Sequence, residues 1–125
     1  MKTRENLVRL KQFQVNDKRR QLLQLDLMIA EFERMAGELE IQIVAEEKKA
    51  GITDISHFAY PTFAKAARLR RDNLKNSQHD LLQQRTAAES ILAAAVAELS
   101  KAAALESRDV KNRENEGGLR SAMIG

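Results

Sequence analysis

Residues 51–61, GITDISHFAYP, form the one break in the middle of a chain of 125 residues that is otherwise rich in helix formers. Gly51 suits the left-handed position after a helix, and Pro61 suits a first helical turn, where a missing N–H costs nothing. Working outward, we expect a first helix over about residues 4–49, a tip over about 50–60 and a second helix over about 61–106.

Apolar residues before the break recur every seven positions. One heptad position holds Val8, Val15, Leu22, Ile29, Ala36 and Ile43, and its companion holds Leu25, Phe32 and Leu39. Lys11 and Lys18 occupy the companion position near the start of the chain, so this end of the seam is polar. Such spacing is typical of a coiled coil, and the sequence predicts an all-α fold, a long antiparallel two-helix coiled-coil hairpin.

The second arm repeats the pattern with smaller side chains. Its seam positions hold Leu74, Leu81, Ala88, Ala95 and Ala102 on one row, Leu92 and Leu99 on the other, and the polar residues Arg71, Gln78 and Arg85. Nine alanines lie between residues 87 and 104, which favours close approach of the two helices but little buried bulk.

Charge predicts the antiparallel register. Folding the chain at residue 55 or 56 pairs positions whose numbers add to about 111, which sets Lys65, Arg68, Arg71 and Lys75 near Glu47, Glu46, Glu40 and Glu38. The same register places the basic segment of residues 9–20 beside residues 91–102, where Glu98 is the one acid. We therefore expect uncompensated positive charge at the open end of the hairpin.

Several features fit this simple hairpin less well. Gly37 lies inside the first arm and indicates a bend or a close contact. Residues 107–125 lose the heptad pattern and include Gly117-Gly118, so they are predicted to be a frayed or disordered tail. Apolar residues off the seam would contact another protein or a second copy, or be wrapped by the tail; they are Leu7, Leu10, Phe13, Leu23, Leu27, Met28 and Met35.

Three of the five aromatic residues, Phe58, Tyr60 and Phe63, cluster at the break. They form either a plug that closes the hairpin or an aromatic surface presented to a partner. His57 and His79 lack companions at metal-ligand spacing and are interpreted as surface or capping residues.

Composition excludes several classes of protein. The chain has no cysteine, 4% aromatic residues and a net charge of +3. It also lacks a glycine-rich phosphate loop and a nucleophile next to a base, so we expect no enzymatic activity and no cofactor or metal. Mixed charges and a narrow apolar stripe disfavour nucleic-acid binding and insertion into a membrane surface, and no stretch has the length of a membrane span or a signal peptide, which favours a cytoplasmic location.

Four stretches resemble the flagellar FliJ family, particularly its alphaproteobacterial members. They are MKTRENLVRLKQFQVNDKRRQ at residues 1–21, MIAEFERMAGELE at 28–40, AGITDISHFAYPTFAKAARLRRDNL at 50–74 and AAVAELSK at 94–101. The stretch over 50–74 and the KRR motif of Lys18, Arg19 and Arg20 are the more specific, and the resemblance covers roughly residues 1–106.

The resemblance implies a cytoplasmic component of the flagellar type III export apparatus, at the cytoplasmic face of the basal body. Family members bind the hexameric export ATPase FliI with the end that holds both termini, and contact the export gate protein FlhA and export chaperones elsewhere. By position, ATPase binding is assigned to Arg4, Arg9, Lys11, Lys18, Arg19 and Arg20, and gate binding to Phe58, Tyr60 and Phe63. The alternatives are a self-associating structural coiled coil and a general secretion chaperone.

Overall fold

Two long α-helices make up almost all of the described chain. The computed structural model describes the backbone of residues 2–124 and the side chains of residues 3–118. Helix α1 spans Lys2–Ala50 and helix α2 spans Thr62–Ile124, with residues 51–61 as the loop between them, and residues 2–124 include no strand. The protein is an all-α helical hairpin, as the heptad pattern predicted.

The two ends of the loop are fixed by backbone geometry. Gly51 has a φ of 71°, and its N–H and that of Ile52 donate to the carbonyl oxygen of Glu47 at 2.8 and 3.3 Å. These bonds cap the last turn of α1, where Lys48 and Lys49 complement the helix dipole. The carbonyl of Pro61 accepts the first hydrogen bond of α2, from the N–H of Lys65 at 3.0 Å. Proline therefore immediately precedes α2, where its lack of an N–H is harmless.

The chain divides into two compact units. Leu23–Thr86 form the loop unit, and Met1–Leu22 with Ala87–Gly125 form the terminal unit. In the loop unit, Arg71 bonds Glu40 and Arg85 bonds Asp26, and the residue numbers of each pair add to 111. In the terminal unit, Lys11 lies 4.0 Å from Glu98. The helices run antiparallel in each unit. Of the four charge pairs predicted, Arg71 with Glu40 forms, whereas Glu47 pairs with Arg68 and Glu38 with Arg34, so neither Lys65 nor Lys75 makes its predicted pair among the described side chains.

Burial follows the predicted seam. All the seam residues named from the heptad pattern, in both arms, are buried or half-buried, including the polar ones. Val15 and Ile43 are the largest fully buried side chains among the described residues. Ala64 and Ala67 extend the buried row of α2 toward the loop. Because only one stripe of each helix is covered, large apolar side chains outside the seam stay exposed.

The predicted end of the second helix was wrong. Residues 107–124 continue α2, where the sequence predicted a frayed or disordered tail, so they do not fold back over the off-seam apolar residues. Arg4 of α1 bonds Asp109 of α2, beyond the predicted end of the helix. Residues 107–116 are rich in Lys, Arg and Glu, which propagate a helix well. Gly117 and Gly118 weaken the helix without ending it. Gly37 likewise lies within the continuous helix α1. Apart from the adjacent backbone of α1, no described residue lies within 4 Å of a Cβ built on it, so the described part of the chain makes no close contact there.

Candidate protein-interaction surfaces

The loop is an ordered sequence of turns. The Asp54 carboxylate accepts hydrogen bonds from the Ser56 N–H at 3.0 Å and the Ser56 hydroxyl at 2.7 Å, and these bonds lower the pKa of Asp54. The His57 N–H donates to the Asp54 carbonyl, and the Tyr60 N–H to the His57 carbonyl, at 3.1 and 3.0 Å. The Ala59 N–H donates to His57 Nδ1 at 3.0 Å. Five local hydrogen bonds thus hold residues 54–60 in one conformation.

Phe58 is held in solvent by these turns. Its side chain is 96% exposed, and its ring stacks on the His57 imidazole with centroids 4.8 Å apart and planes 22° apart. Phe58 stacks on a neighbouring residue of the loop, and its phenyl ring stays accessible to a partner. An exposed aromatic ring on an ordered loop loses little conformational entropy when it binds, which suits it to an interface.

Tyr60 has the opposite role, because it is buried and joins the loop to both helices. Its hydroxyl accepts a hydrogen bond from Arg68 Nε at 2.8 Å, and Arg68 Nη2 bonds the buried Glu47 carboxylate at 3.1 Å. The bonds to Tyr60 and to Glu47 raise the pKa of Arg68, so it stays charged. The chain Tyr60–Arg68–Glu47 satisfies a buried carboxylate and a buried hydroxyl at once, and fixes the loop against α1 and α2.

The three aromatic residues predicted as one cluster therefore divide. Tyr60 is buried and closes the hairpin, whereas Phe58 and Phe63 are exposed and stay candidates for a surface presented to a partner. Phe63 borders an open groove between the helices, lined also by Leu39, Gln42 and Arg70. Sequence reasoning assigned no role at the loop to Arg68 or Asp54; the D-x-S pattern of residues 54–56 is a turn signal that was readable in advance.

The six basic residues of α1 that were assigned to ATPase binding fall into two groups. Three of them have acidic neighbours: Arg4 Nε lies 3.0 Å from Asp109, Lys11 lies 4.0 Å from Glu98, and Arg20 lies 3.7 Å from Asp17. Arg4 also donates to the carbonyl of Leu105 at 3.4 Å. Within the basic segment of residues 9–20, Lys11 and Arg20 therefore have acidic neighbours, whereas uncompensated charge was expected there. Asp109 was missed as the partner of Arg4 because α2 was predicted to end at about residue 106.

Arg9, Lys18 and Arg19 make no ion pair with any residue whose side chain the structure describes. Arg9 and Arg19 are exposed, and Lys18 lies half-buried on the seam. The facing stretch of α2, residues 91–102, holds five alanines among twelve residues, and Glu98 is its one acid. We call these three cations of α1 the unpaired basic surface, although they lie on different sides of the helix, and they are available to carboxylates of another molecule.

The described residues contain no group of three or more His, Cys, Asp or Glu side chains placed to hold a metal ion. Within the same part of the chain, neither helix combines the length and the apolar character needed to cross a bilayer.

No family model matches the chain, and no curated protein and no solved structure shows significant similarity to it. The fold and the surfaces described above are therefore the basis for a functional assignment, together with the resemblance in the sequence.

Proposed function

We propose that this protein is a non-enzymatic adaptor of the flagellar type III export apparatus, which binds the export ATPase FliI through its terminal unit. The observation that carries the proposal is the unpaired basic surface of Arg9, Lys18 and Arg19, in the unit to which the FliJ-like pattern assigns ATPase binding. Unpaired cations on a helical surface attract an acidic partner and orient its approach.

The loop supports a second contact in the same proposal. Phe58 and Phe63 are exposed apolar groups on a hydrogen-bonded support, and we assign them to the export gate protein FlhA. Tyr60 is removed from this assignment because it is buried and bonded to Arg68. Export chaperones would bind elsewhere on the helices.

The test uses the full chain and the cognate export ATPase. We expect the chain to raise both ATP hydrolysis and the hexamer population, and the triple variant Arg9→Glu, Lys18→Glu, Arg19→Glu to raise them at least fivefold less. The control variant Lys48→Glu, Lys49→Glu, Lys65→Glu makes the same change of charge in the loop unit and should behave as the parent chain. If neither hydrolysis nor hexamer formation responds to the parent chain, the proposal is wrong.

Self-association is the second candidate, favoured by the exposed Phe13, Leu23 and Leu27. Sedimentation of the purified chain at micromolar concentration separates the two, since a structural coiled coil would be dimeric without any other protein.

A further inference from the structure

The two edges of the seam in the loop unit differ in charge. One edge holds ion pairs between the helices, which are Asp26 with Arg85, Glu40 with Arg71 and Glu47 with Arg68. The described side chains of the other edge make no ion pair between the helices. This second edge consists of the residues that directly precede the seam residues, and we call it the groove edge: Met28, Met35 and Gln42 of α1, with Phe63, Arg70, Ser77 and Gln84 of α2.

The groove edge is open and largely apolar. Between Phe63 and Gln42 it forms a groove lined also by Leu39, Arg70 and two alanines of α2, residues 66 and 67. The groove continues along α1 to Met35, where Leu39, Gln42 and Arg70 again line it. Phe63 is 56% exposed, so an apolar side chain laid in the groove would cover it.

This difference between the edges is the pattern of a helix pair that receives a third helix along one side. In a two-stranded coiled coil both edges usually hold charged residues. A helix that faces the core of a bundle instead adds an apolar row at one edge to its two seam rows. Met28 and Met35 supply such residues on α1, and Phe63 supplies one on α2. The core of an interface is likewise poor in charge and rich in methionine and aromatic residues.

Arg70 identifies the chemistry of the helix that fits. It lines the groove along its whole length and makes no ion pair or hydrogen bond with any side chain that the structure describes. Glu38 lines the same groove, but its carboxylate is bonded to Arg34 at 2.5 Å. Covering an arginine that has no acidic partner is costly, so a helix that lies here has to supply a carboxylate.

A second copy of this chain does not supply that carboxylate through the same edge. Its groove edge holds Arg70 as the charged residue, and its Glu38 is again bonded to Arg34. Two copies packed through their groove edges would therefore cover two arginines without an acidic partner. Leaving charges unpaired in this way selects against self-pairing and in favour of another protein.

We propose that the groove edge between Met35 and Phe63 is a docking site for an amphipathic helix of another protein, whose apolar stripe is bordered by an Asp or Glu that pairs with Arg70. Because Phe63 is also assigned to the export gate, the inference rests on the gate contact of the proposed function and names the kind of segment that makes it. The ATPase test probes the terminal unit only, so the two can fail separately.

The test measures binding of three labelled helical peptides to the full chain by fluorescence anisotropy. Each peptide has 21 residues with leucine at the heptad positions, and they differ only at one edge position of each heptad, which is Glu, Gln or Lys. We expect the Glu peptide to bind at least fivefold more tightly than the Gln peptide, and the Lys peptide to bind most weakly. Arg70→Glu should reverse this order, and Met35→Ser with Phe63→Ser should weaken binding of the Glu peptide at least tenfold.

The matched control for charge is Lys65→Glu, which makes the same change on an exposed residue of α2 that does not line the groove, and it should keep the order of the parent chain. The control for apolar area is Leu69→Ser with Leu82→Ser, two exposed leucines of α2 outside the groove, and it should leave binding unchanged. Circular dichroism of each variant checks that helicity is retained.

The proposal is overturned if the parent chain binds the three peptides equally or binds none of them. It is also overturned if Arg70→Glu keeps the order of the parent chain, since the groove would then not recognise the carboxylate. A parent chain that sediments as a dimer, and that Met35→Ser with Phe63→Ser converts to a monomer, would assign the groove to a second copy instead.

Discussion

The loop unit and the terminal unit are built from the same two helices but differ in what holds them together. The loop unit buries Ala36, Ile43 and Leu81 on its seam and fixes its loop through Tyr60. The terminal unit buries Val15 and Ala102, and its seam also includes Lys11 and Lys18. Since buried apolar area sets most of the stabilisation of a helix pair, the loop unit is expected to be the more stable half.

The difference shows how one fold can combine a fixed and an adaptable part. Lysine at a seam position reduces coiled-coil stability and leaves a charge near the helix interface. An alanine-rich α2 opposite it offers little surface to bury. Both units form ion pairs between the two helices, such as Arg4 with Asp109 and Arg71 with Glu40, but the terminal unit combines them with a thinner core and with Arg9, Lys18 and Arg19, which have no acidic partner among the described side chains.

Two substitutions at the centres of the two seams test this comparison and have the largest expected effects. Ile43→Ala removes a fully buried side chain from the better-packed unit and should lower the free energy of unfolding by about 2–5 kcal/mol. Val15→Ala should cost about 1.5–2 kcal/mol and should act locally, because the surrounding core is thin. Urea unfolding measures the loss in free energy of unfolding for Ile43→Ala, and hydrogen exchange shows where along the chain Val15→Ala acts.

In hydrogen exchange, Val15→Ala should reduce amide protection within residues 3–22 and 87–118 and leave the loop unit protected. Ile43→Ala should reduce amide protection in both units, because it lowers the stability of the loop unit, which is expected to be the more stable half. The comparison fails if the two variants lower protection to the same extent everywhere, since the hairpin would then unfold as one cooperative unit.

The heptad pattern was sufficient to predict the fold. Period and charge together identified the seam, the antiparallel orientation and the pair Arg71–Glu40, because these depend on residue spacing alone. The position of Gly51 likewise predicted the cap of α1, since a left-handed residue is required there. Sequence reasoning failed at the end of α2, where helix formers outweighed the two glycines and the fading of the apolar pattern.

The candidate surfaces were predicted less well than the fold. Composition located an aromatic cluster and a basic segment. It could not show that Tyr60 is buried and Phe58 exposed, since this depends on the hydrogen bond from Arg68 to the Tyr60 hydroxyl. It also missed the pair of Arg4 with Asp109 across the helices, because α2 was predicted to end before residue 109. The difference in charge between the groove edge and the opposite edge was readable from residue spacing and was missed.

Arg68→Met tests how the loop unit fixes its loop, with an intermediate expected effect. Methionine keeps much of the apolar stem but leaves the buried Glu47 carboxylate and the Tyr60 hydroxyl without their hydrogen-bond partner. An unsatisfied buried polar group costs about 1–3 kcal/mol, so we expect a loss of this size in the free energy of unfolding. The control is Arg70→Met, two residues away and exposed, which should change stability by less than about 0.5 kcal/mol.

Tyr60→Phe sharpens the same comparison because it removes only the hydroxyl. It should cost less than Arg68→Met, since Arg68 would keep its bond to Glu47. Equal costs for Arg68→Met and Arg70→Met in urea unfolding would show that the Tyr60–Arg68–Glu47 chain does not stabilise the loop.

Acid gives the smallest of the three effects, and its sign follows from the carboxyl groups of the loop unit. The hydrogen bond and the charge of Arg71 lower the pKa of Glu40, and those of Arg34 lower the pKa of Glu31. A carboxyl group whose pKa is lower in the folded state contributes stability that is complete above its unfolded pKa, here about 4.5, and is lost as the pH falls through the folded pKa. Both side chains are largely exposed, so solvent screens each contribution to a small value. We therefore expect the free energy of unfolding to be constant from pH 7 to about pH 5 and to decrease below about pH 4.5.

Glu40→Gln should flatten this decrease in the free energy of unfolding, measured by urea titration at each pH. The control Glu5→Gln alters an exposed glutamate of the terminal unit and should leave the slope unchanged. A slope that is the same in Glu40→Gln as in the parent chain would mean that the pair with Arg71 contributes nothing to the stability of the loop unit.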